Sequence, residues 1–100
     1  MIVDGKAVAQ TLYDALQTEC AQFGEVTLGH LVTEMSPVTA SYARIKERGA
    51  ERLNIKMVRM ELPEGSDTAA ALAAIEKLVA TCDGVIPQLP IVPGIDAAAF

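Results

Sequence analysis

A chain of 100 residues and 10.6 kDa, 51% apolar with a mean hydropathy of +0.30, is long enough for one packed core and too short for a second domain. Its net charge of −5 and pI near 4.7, with no run of basic residues, exclude the electrostatic footprint of a nucleic-acid or anionic-membrane binder. Cys20, Cys82 and a single histidine offer neither a disulfide framework nor a metal cage, no window reaches the roughly 18 apolar residues of a membrane span, and the opening Met1-Ile2-Val3-Asp4-Gly5-Lys6 lacks a basic leader, so a cytoplasmic protein is expected.

Val8, Leu12, Leu16, Cys20 and Phe23 recur at helical intervals, predicting an amphipathic helix over residues 6–23 that Gly24 ends. Residues 28–33 form a short apolar run fit for a buried strand, and Ser36-Pro37 is a helix-start signal. The second helix is expected to turn Val38, Tyr42, Ile45, Gly49 and Leu53 inward and to finish at Asn54, a residue suited to the left-handed conformation. Residues 55–61 read as a strand that Leu62-Pro63 stops. Ser66 or Asp67 can cap a third helix with Ala71, Leu72, Ile75, Leu78 and Val79 inward, and Val85-Ile86 is a third, very short strand. Strands and helices in alternation imply an α/β fold, a three-layer sandwich whose small, mostly parallel sheet is flanked by helices. Ligands of such sheets lie beyond the carboxyl ends of the strands, here residues 34–37, 62–65 and 88–90.

Two motifs reach that edge: Ser41-Tyr42-Ala43-Arg44-Ile45-Lys46 and Asp83-Gly84-Val85-Ile86-Pro87-Gln88-Leu89-Pro90. Tyr42 and Lys46 are four apart and share a helix face. A tyrosine ring can stack on a planar heteroaromatic ligand, and a partly desolvated lysine can move a proton near neutral pH. Gln88 carries both an acceptor and a donor with which to orient that amine or a water. Alone, Tyr-x-x-x-Lys is more often a half-buried tyrosine beside a solvated lysine, and Gln88-Leu89-Pro90 is equally an ordinary strand exit. The same spacing occurs in short-chain dehydrogenases, but the glycine-rich turn that family needs after its first strand is missing from Leu31-Val32-Thr33-Glu34-Met35. His30, within an apolar strand, is read as a packed, hydrogen-bonded histidine without chemistry, the scattered acids as a solvated face, and Met57 and Met60 as core filler.

In order, Asp4-Gly5-Lys6-Ala7-Val8-Ala9, Pro37 with Thr39, Ser41-Tyr42 ahead of Lys46, and Asp83-Gly84 with Gln88-Leu89-Pro90 and Asp96 resemble the bifunctional methylenetetrahydrofolate dehydrogenase/methenyltetrahydrofolate cyclohydrolase family. The resemblance spans residues 1–100 and matches only the amino-terminal, folate-binding catalytic domain; members continue into a nicotinamide-binding Rossmann domain and a final helix. It implies that Tyr42 stacks on the folate, that Lys46 is the central catalytic residue, and that Gln88 holds and tunes it. Leu89 and Pro90 would complete the substrate-binding set. It further implies oxidation of methylenetetrahydrofolate with NADP or NAD, hydrolysis of the methenyl product to formyltetrahydrofolate, and a homodimer at full length. No cofactor is expected on this domain alone. A non-catalytic folate-binding or interaction domain that keeps the fold is the alternative. The chain departs from the family's usual pattern at Glu34, Ala50, Pro87 and Val92.

Overall fold

Each helix begins where a short polar side chain can take up free amide groups of its first turn. Asp4 accepts from the backbone N–H groups of Lys6 and Ala7, Ser36 from Thr39 with Pro37 in the first helical position, and Asp67 from Ala70. The computed structural model describes residues 2–100. It orders the elements as α1 (Gly5–Cys20), β1 (Val26–Val32), α2 (Pro37–Arg52), β2 (Ile55–Glu61), α3 (Thr68–Thr81), β3 (Gly84–Gln88) and a closing 3-10 turn (Ala97–Ala99). Asn54 takes the left-handed conformation expected of it, with φ at 59°.

The three strands form one parallel sheet in the order β2-β1-β3. Val26 pairs with Ile55 through to Val32 with Glu61 on one side, and Leu28 with Gly84 through to Val32 with Gln88 on the other. The chain steps from β1 to β2 in one direction and returns past β1 to β3 in the other. Two crossovers of the same hand then place α2 and α3 on opposite faces. The result is the expected three-layer α/β arrangement, with α2 over β2 and α3 over β1 and β3.

β1 alone has two strand neighbours, and from Gly29 to Val32 it is fully buried. Gly29 and Leu31 face α3, where Leu31, Ala74 and Leu78 make the core with Val58, Met60 and Val85 packed around them. A Cβ at Gly29 would lie 3.0 Å from both Leu78 Cβ and Cδ2, so the missing side chain lets α3 settle onto the sheet. β3 extends beyond the expected Val85-Ile86 pair to include Pro87; as an edge strand it tolerates a residue without an N–H. β1 begins two residues ahead of its expected start and β2 matches its expected bounds.

The helix faces need correction. Val38, Tyr42 and Ile45 of α2 are exposed; Gly49 is buried as expected and Leu53 is half-buried, and the rest of the buried face is Thr39, Ala43 and Ala50. On α3 the buried residues are Ala71, Ala74 and Leu78, whereas Leu72 and Val79 face out. α2 meets the sheet through small side chains and α3 through two alanines and Leu78; small residues allow close approach, and hydropathy alone ranks Val, Tyr and Ile above Thr and Ala. α1 stops at Cys20, followed by a turn in which Gly24 has φ at 70°, so Phe23 lies outside the helix and is exposed. None of its residues is buried. The stripe of Leu12 and Leu16 does turn toward the sheet, but across an open cavity of about 430 Å³ floored by Leu28, Met57 and Ile86. α1 is fixed through polar and aromatic contacts to the end of α2: Gln17 Nε2 donates to the Arg52 carbonyl, Arg52 donates to Gln10, and the Arg52 guanidinium lies 3.9 Å from the Tyr13 ring centroid.

Leu78, 1% exposed, and Val79, 61% exposed, are adjacent on α3 and separate core burial from helix propensity. Leu78→Ala should lower the unfolding free energy by about 2–5 kcal/mol, and Val79→Ala should change it by less than about 0.5 kcal/mol. Urea denaturation of the two variants, followed by circular dichroism, measures both.

Candidate functional site

In the order β2-β1-β3 the chain leaves β1 toward β2 over one face and comes back past β1 to β3 over the other, and this reversal opens a crevice at the carboxyl ends of β1 and β3. Three segments converge there: the loop from β1 into α2, the first turns of α2, and the exit from β3. Strand pairing sets which side chains they present. Gln88 is paired with Val32 and, two residues beyond Ile86, points to the α2 face, where it is 5% exposed. Lys46 reaches it from α2, and its Nζ donates to Gln88 Oε1 at 2.8 Å. Gln88 Nε2 in turn donates to the Leu89 carbonyl at 3.0 Å, which fixes the amide with its oxygen toward the lysine.

Tyr42 stands one helical turn from Lys46, nearer the strand ends, with its side chain exposed and available. Leu89 and Pro90 follow Gln88 at the rim, Leu89 70% exposed, joined by a cis peptide bond. The structure therefore brings Lys46 and Gln88 into contact and sets Tyr42, Leu89 and Pro90 around them. It separates the other half of the second motif: Asp83 and Gly84 are at the opposite end of β3. There the Asp83 carboxylate accepts from Thr27 N, and Asp83 N donates to the Thr27 carbonyl, each at 2.8 Å. Asp96 caps the closing turn by accepting from Ala98 N.

The loop between β1 and α2 is held by its own side chains. The hydroxyl of Thr39, a buried residue, donates to Glu34 Oε2 at 2.7 Å and accepts from the Ser36 hydroxyl at 3.1 Å. Thr33 Oγ1 accepts from Val92 N and ties down the segment after β3. Glu34 thus occupies the approach to the α2 N-terminus with a carboxylate. A dinucleotide pyrophosphate needs that position free of side chains and of negative charge. The residues of this chain do not fit a nicotinamide cofactor there, and no hydride step is derived from them. Among the described residues no group of three or more His, Cys, Asp or Glu side chains is arranged to hold a metal ion, and no helix is long and apolar enough to cross a membrane.

A polar chain beneath the lysine was invisible to sequence reasoning. His30, 0% exposed, places Nε2 3.0 Å from the same Gln88 Oε1. The expectation of a packed, hydrogen-bonded histidine holds, but its partner is a residue of the candidate site. Its Nδ1 lies 3.7 Å from Glu47 Oε1. Arg59 of β2 grips Glu47 with two bonds, Nε to Oε1 at 2.6 Å and Nη2 to Oε2 at 2.9 Å, and reaches Glu61 at 3.1 Å. Glu47 and Arg59 are thus not independent solvated charges. The available signal was a histidine at the centre of an apolar strand paired with an arginine in the next one.

The fold and the site define an open α/β domain with an amine, an amide and an aromatic ring gathered at its switch point. The chain belongs to the tetrahydrofolate dehydrogenase/cyclohydrolase family: residues 3–100 match that family's catalytic domain. The bifunctional protein FolD of Methanoculleus marisnigri is 33% identical over 99 residues, covering 96% of this chain and 35% of the relative. The FolD of Methanospirillum hungatei is 32% identical over 102 residues, covering 99% of this chain and 37% of the relative. The chain spans about a third of the length of these relatives. Among solved structures, a methylenetetrahydrofolate dehydrogenase from the silkworm Bombyx mori superimposes with a TM-score of 0.86 at 25% identity, over 95% of this chain and 35% of that one. The methylenetetrahydrofolate dehydrogenase-cyclohydrolase of Trypanosoma brucei, solved with an NADP cofactor and an inhibitor, shares the fold with a TM-score of 0.89 at 24% identity, over 99% of this chain and 36% of that one.

Glu47 supplies a pH test of the polar chain. The hydrogen bonds from Arg59 hold its carboxyl below the ordinary value of 4.5, against the opposing effect of burial, with smaller help from the Arg59 and His30 charges. A folded-state pKa below the unfolded one gives stability that is complete above 4.5 and is lost as the pH falls through the folded value. Arg59→Met should therefore flatten the acid limb of a denaturation-midpoint titration run from about pH 6 to about pH 3. An unchanged limb would mean that the pair does not contribute.

Proposed function

We infer that this domain binds a tetrahydrofolate and supplies the proton-transfer lysine of a methylenetetrahydrofolate dehydrogenase and methenyltetrahydrofolate cyclohydrolase. The observation that carries this reading is the 2.8 Å bond from Lys46 Nζ to Gln88 Oε1, which joins α2 and β3 across the switch point. Family membership supports the substrate class.

Tyr42, exposed one turn away, offers a face on which the flat pterin or the adjoining aryl ring can stack. In the hydrolytic step a water attacks the methenyl carbon between two nitrogens. As the new C–O bond forms, the water gives a proton to Lys46 acting as the neutral amine, whose bond to Gln88 uses one of its N–H groups and not its lone pair. The amine returns that proton to the departing ring nitrogen as the C–N bond breaks, the proton left on the attacking oxygen goes to solvent as the carbonyl forms, and the lysine ends as it began. Gln88 keeps the amine from turning away between the two transfers. Leu89 and Pro90 form the apolar rim beside it. The oxidative step needs NADP or NAD to accept a hydride. Under this reading that group is bound by the portion of the relatives' length that the 100 residues do not cover, and a homodimer and a place in one-carbon metabolism belong to that longer protein.

Calorimetric titration of the chain with a stable folate analogue tests the reading. Tyr42→Ala should weaken binding by about 1–3 kcal/mol through lost stacking and packing. Lys46→Met should retain the fold and abolish hydrolysis of the methenyl substrate when the same change is made in a protein of the relatives' length. Unchanged affinity in Tyr42→Ala moves the folate site elsewhere, and wild-type turnover in Lys46→Met removes the lysine from the chemistry.

A further inference from the structure

His30 is a costly residue for its location. It is fully buried in the central strand, and its Nδ1 has no hydrogen-bond partner. Leaving one such atom unsatisfied is destabilising, a loss that an aliphatic side chain of the central strand would not incur. Glu47 does not relieve it: its carboxylate is gripped by Arg59, and its nearer oxygen stands 3.7 Å from Nδ1, beyond hydrogen-bond reach. Among the described residues the one hydrogen bond the ring makes is to Gln88 Oε1.

That bond fixes the chemistry of the ring. The Gln88 oxygen already accepts from Lys46 Nζ, and the Gln88 Nε2 donates to the Leu89 carbonyl. Turning the amide over would set its NH2 against the lysine and lose the Leu89 bond, so Oε1 faces inward as an acceptor. An atom that only accepts requires a donor at 3.0 Å, so His30 Nε2 carries a hydrogen. One oxygen therefore receives two donors, one from β1 and one from α2. Without the ring, the amide would be held by a flexible lysine on its oxygen and by one carbonyl of the exposed rim on its nitrogen, with nothing from the buried strand.

We propose that His30 is a positioning residue for Lys46: its Nε2–H locks the Gln88 carboxamide with the oxygen toward the lysine amine. The assignment gives meaning to the unsatisfied Nδ1, since the ring is oriented for Gln88 at the expense of its other nitrogen. It rests on the reading of Lys46 as the proton-transfer group, yet it concerns only the amine, the amide and the ring.

The first measurement is a long-range proton–nitrogen NMR correlation of the His30 imidazole in the unmodified chain. A proton on Nε2 is expected, and a ring protonated on Nδ1 alone overturns the proposal without any variant. The second compares two uncharged replacements, His30→Gln, whose side-chain NH2 can stand in for Nε2–H, and His30→Leu, which has no donor. In His30→Leu the Gln88 amide is held by one donor fewer and can turn its own NH2 toward Lys46. The Gln88 side-chain NH2 resonances should stay near their positions in the unmodified chain in His30→Gln and move in His30→Leu, as the amide leaves the Leu89 carbonyl. Because neither replacement is charged, the difference reports the hydrogen bond and not a lost imidazolium. Equal Gln88 amide resonances in two folded variants overturn the proposal. Neither readout uses folate, so this result leaves the folate reading standing, and a failure of folate binding leaves His30 and Gln88 as measured.

Discussion

The whole arrangement hangs on β1 serving two helix layers from one buried strand. Its alternation must satisfy both faces at once, and it does so with different materials. Gly29 and Leu31 give α3 a close, apolar contact, while His30 and the pairing partners of β1 give α2 a polar one. A parallel strand buried on both faces is ordinarily a run of aliphatic residues. A histidine in that position needs a hydrogen-bond partner within the sheet, and Gln88 at the end of β3 is that partner.

The site consequently depends on strand register. Side chains alternate across the sheet, so a shift of β3 by one residue against β1 would carry Gln88 to the α3 face and leave Lys46 and His30 without an acceptor. The opposite end of the sheet guards against this. Asp83 and Thr27 exchange two hydrogen bonds just before β3 begins, and Gly84 lets β3 sit against Leu28, which a Cβ there would approach to 3.1 Å. Asp83-Gly84 and Gln88-Leu89-Pro90 thus act together from the two ends of one strand, the first holding the alignment that the second uses.

Element order and strand direction were legible because capping residues and apolar periods are local. Ser36-Pro37, Asp67 and Asn54 marked helix ends where the structure has them. The helix faces were misread because contact distance is set by the other partner. A sheet that receives α2 at close range selects Thr39, Ala43 and Ala50, and no property of the helix alone says so. Lys46 and Gln88 were paired from motif order and the resemblance it carries, whereas the geometry of their bond, across 42 residues of chain, came only with the fold. His30 is the instructive case: its packing followed from its neighbours in sequence, and its partner followed only from the pairing of β1 with β3.

α1 is joined to the rest of the domain chiefly through Gln17, Tyr13 and Gln10 against the last turn of α2, with no residue of its own buried. Little apolar area is released when it lifts away, so the free energy of that opening is far smaller than that of unfolding the sheet. The domain is therefore two cooperative units of unequal strength. Amide protons of residues 5–20 exchange with solvent through frequent local opening, whereas those of β1 wait for the whole fold to open, and a protease would find its first cut in the amino-terminal fifth of the chain.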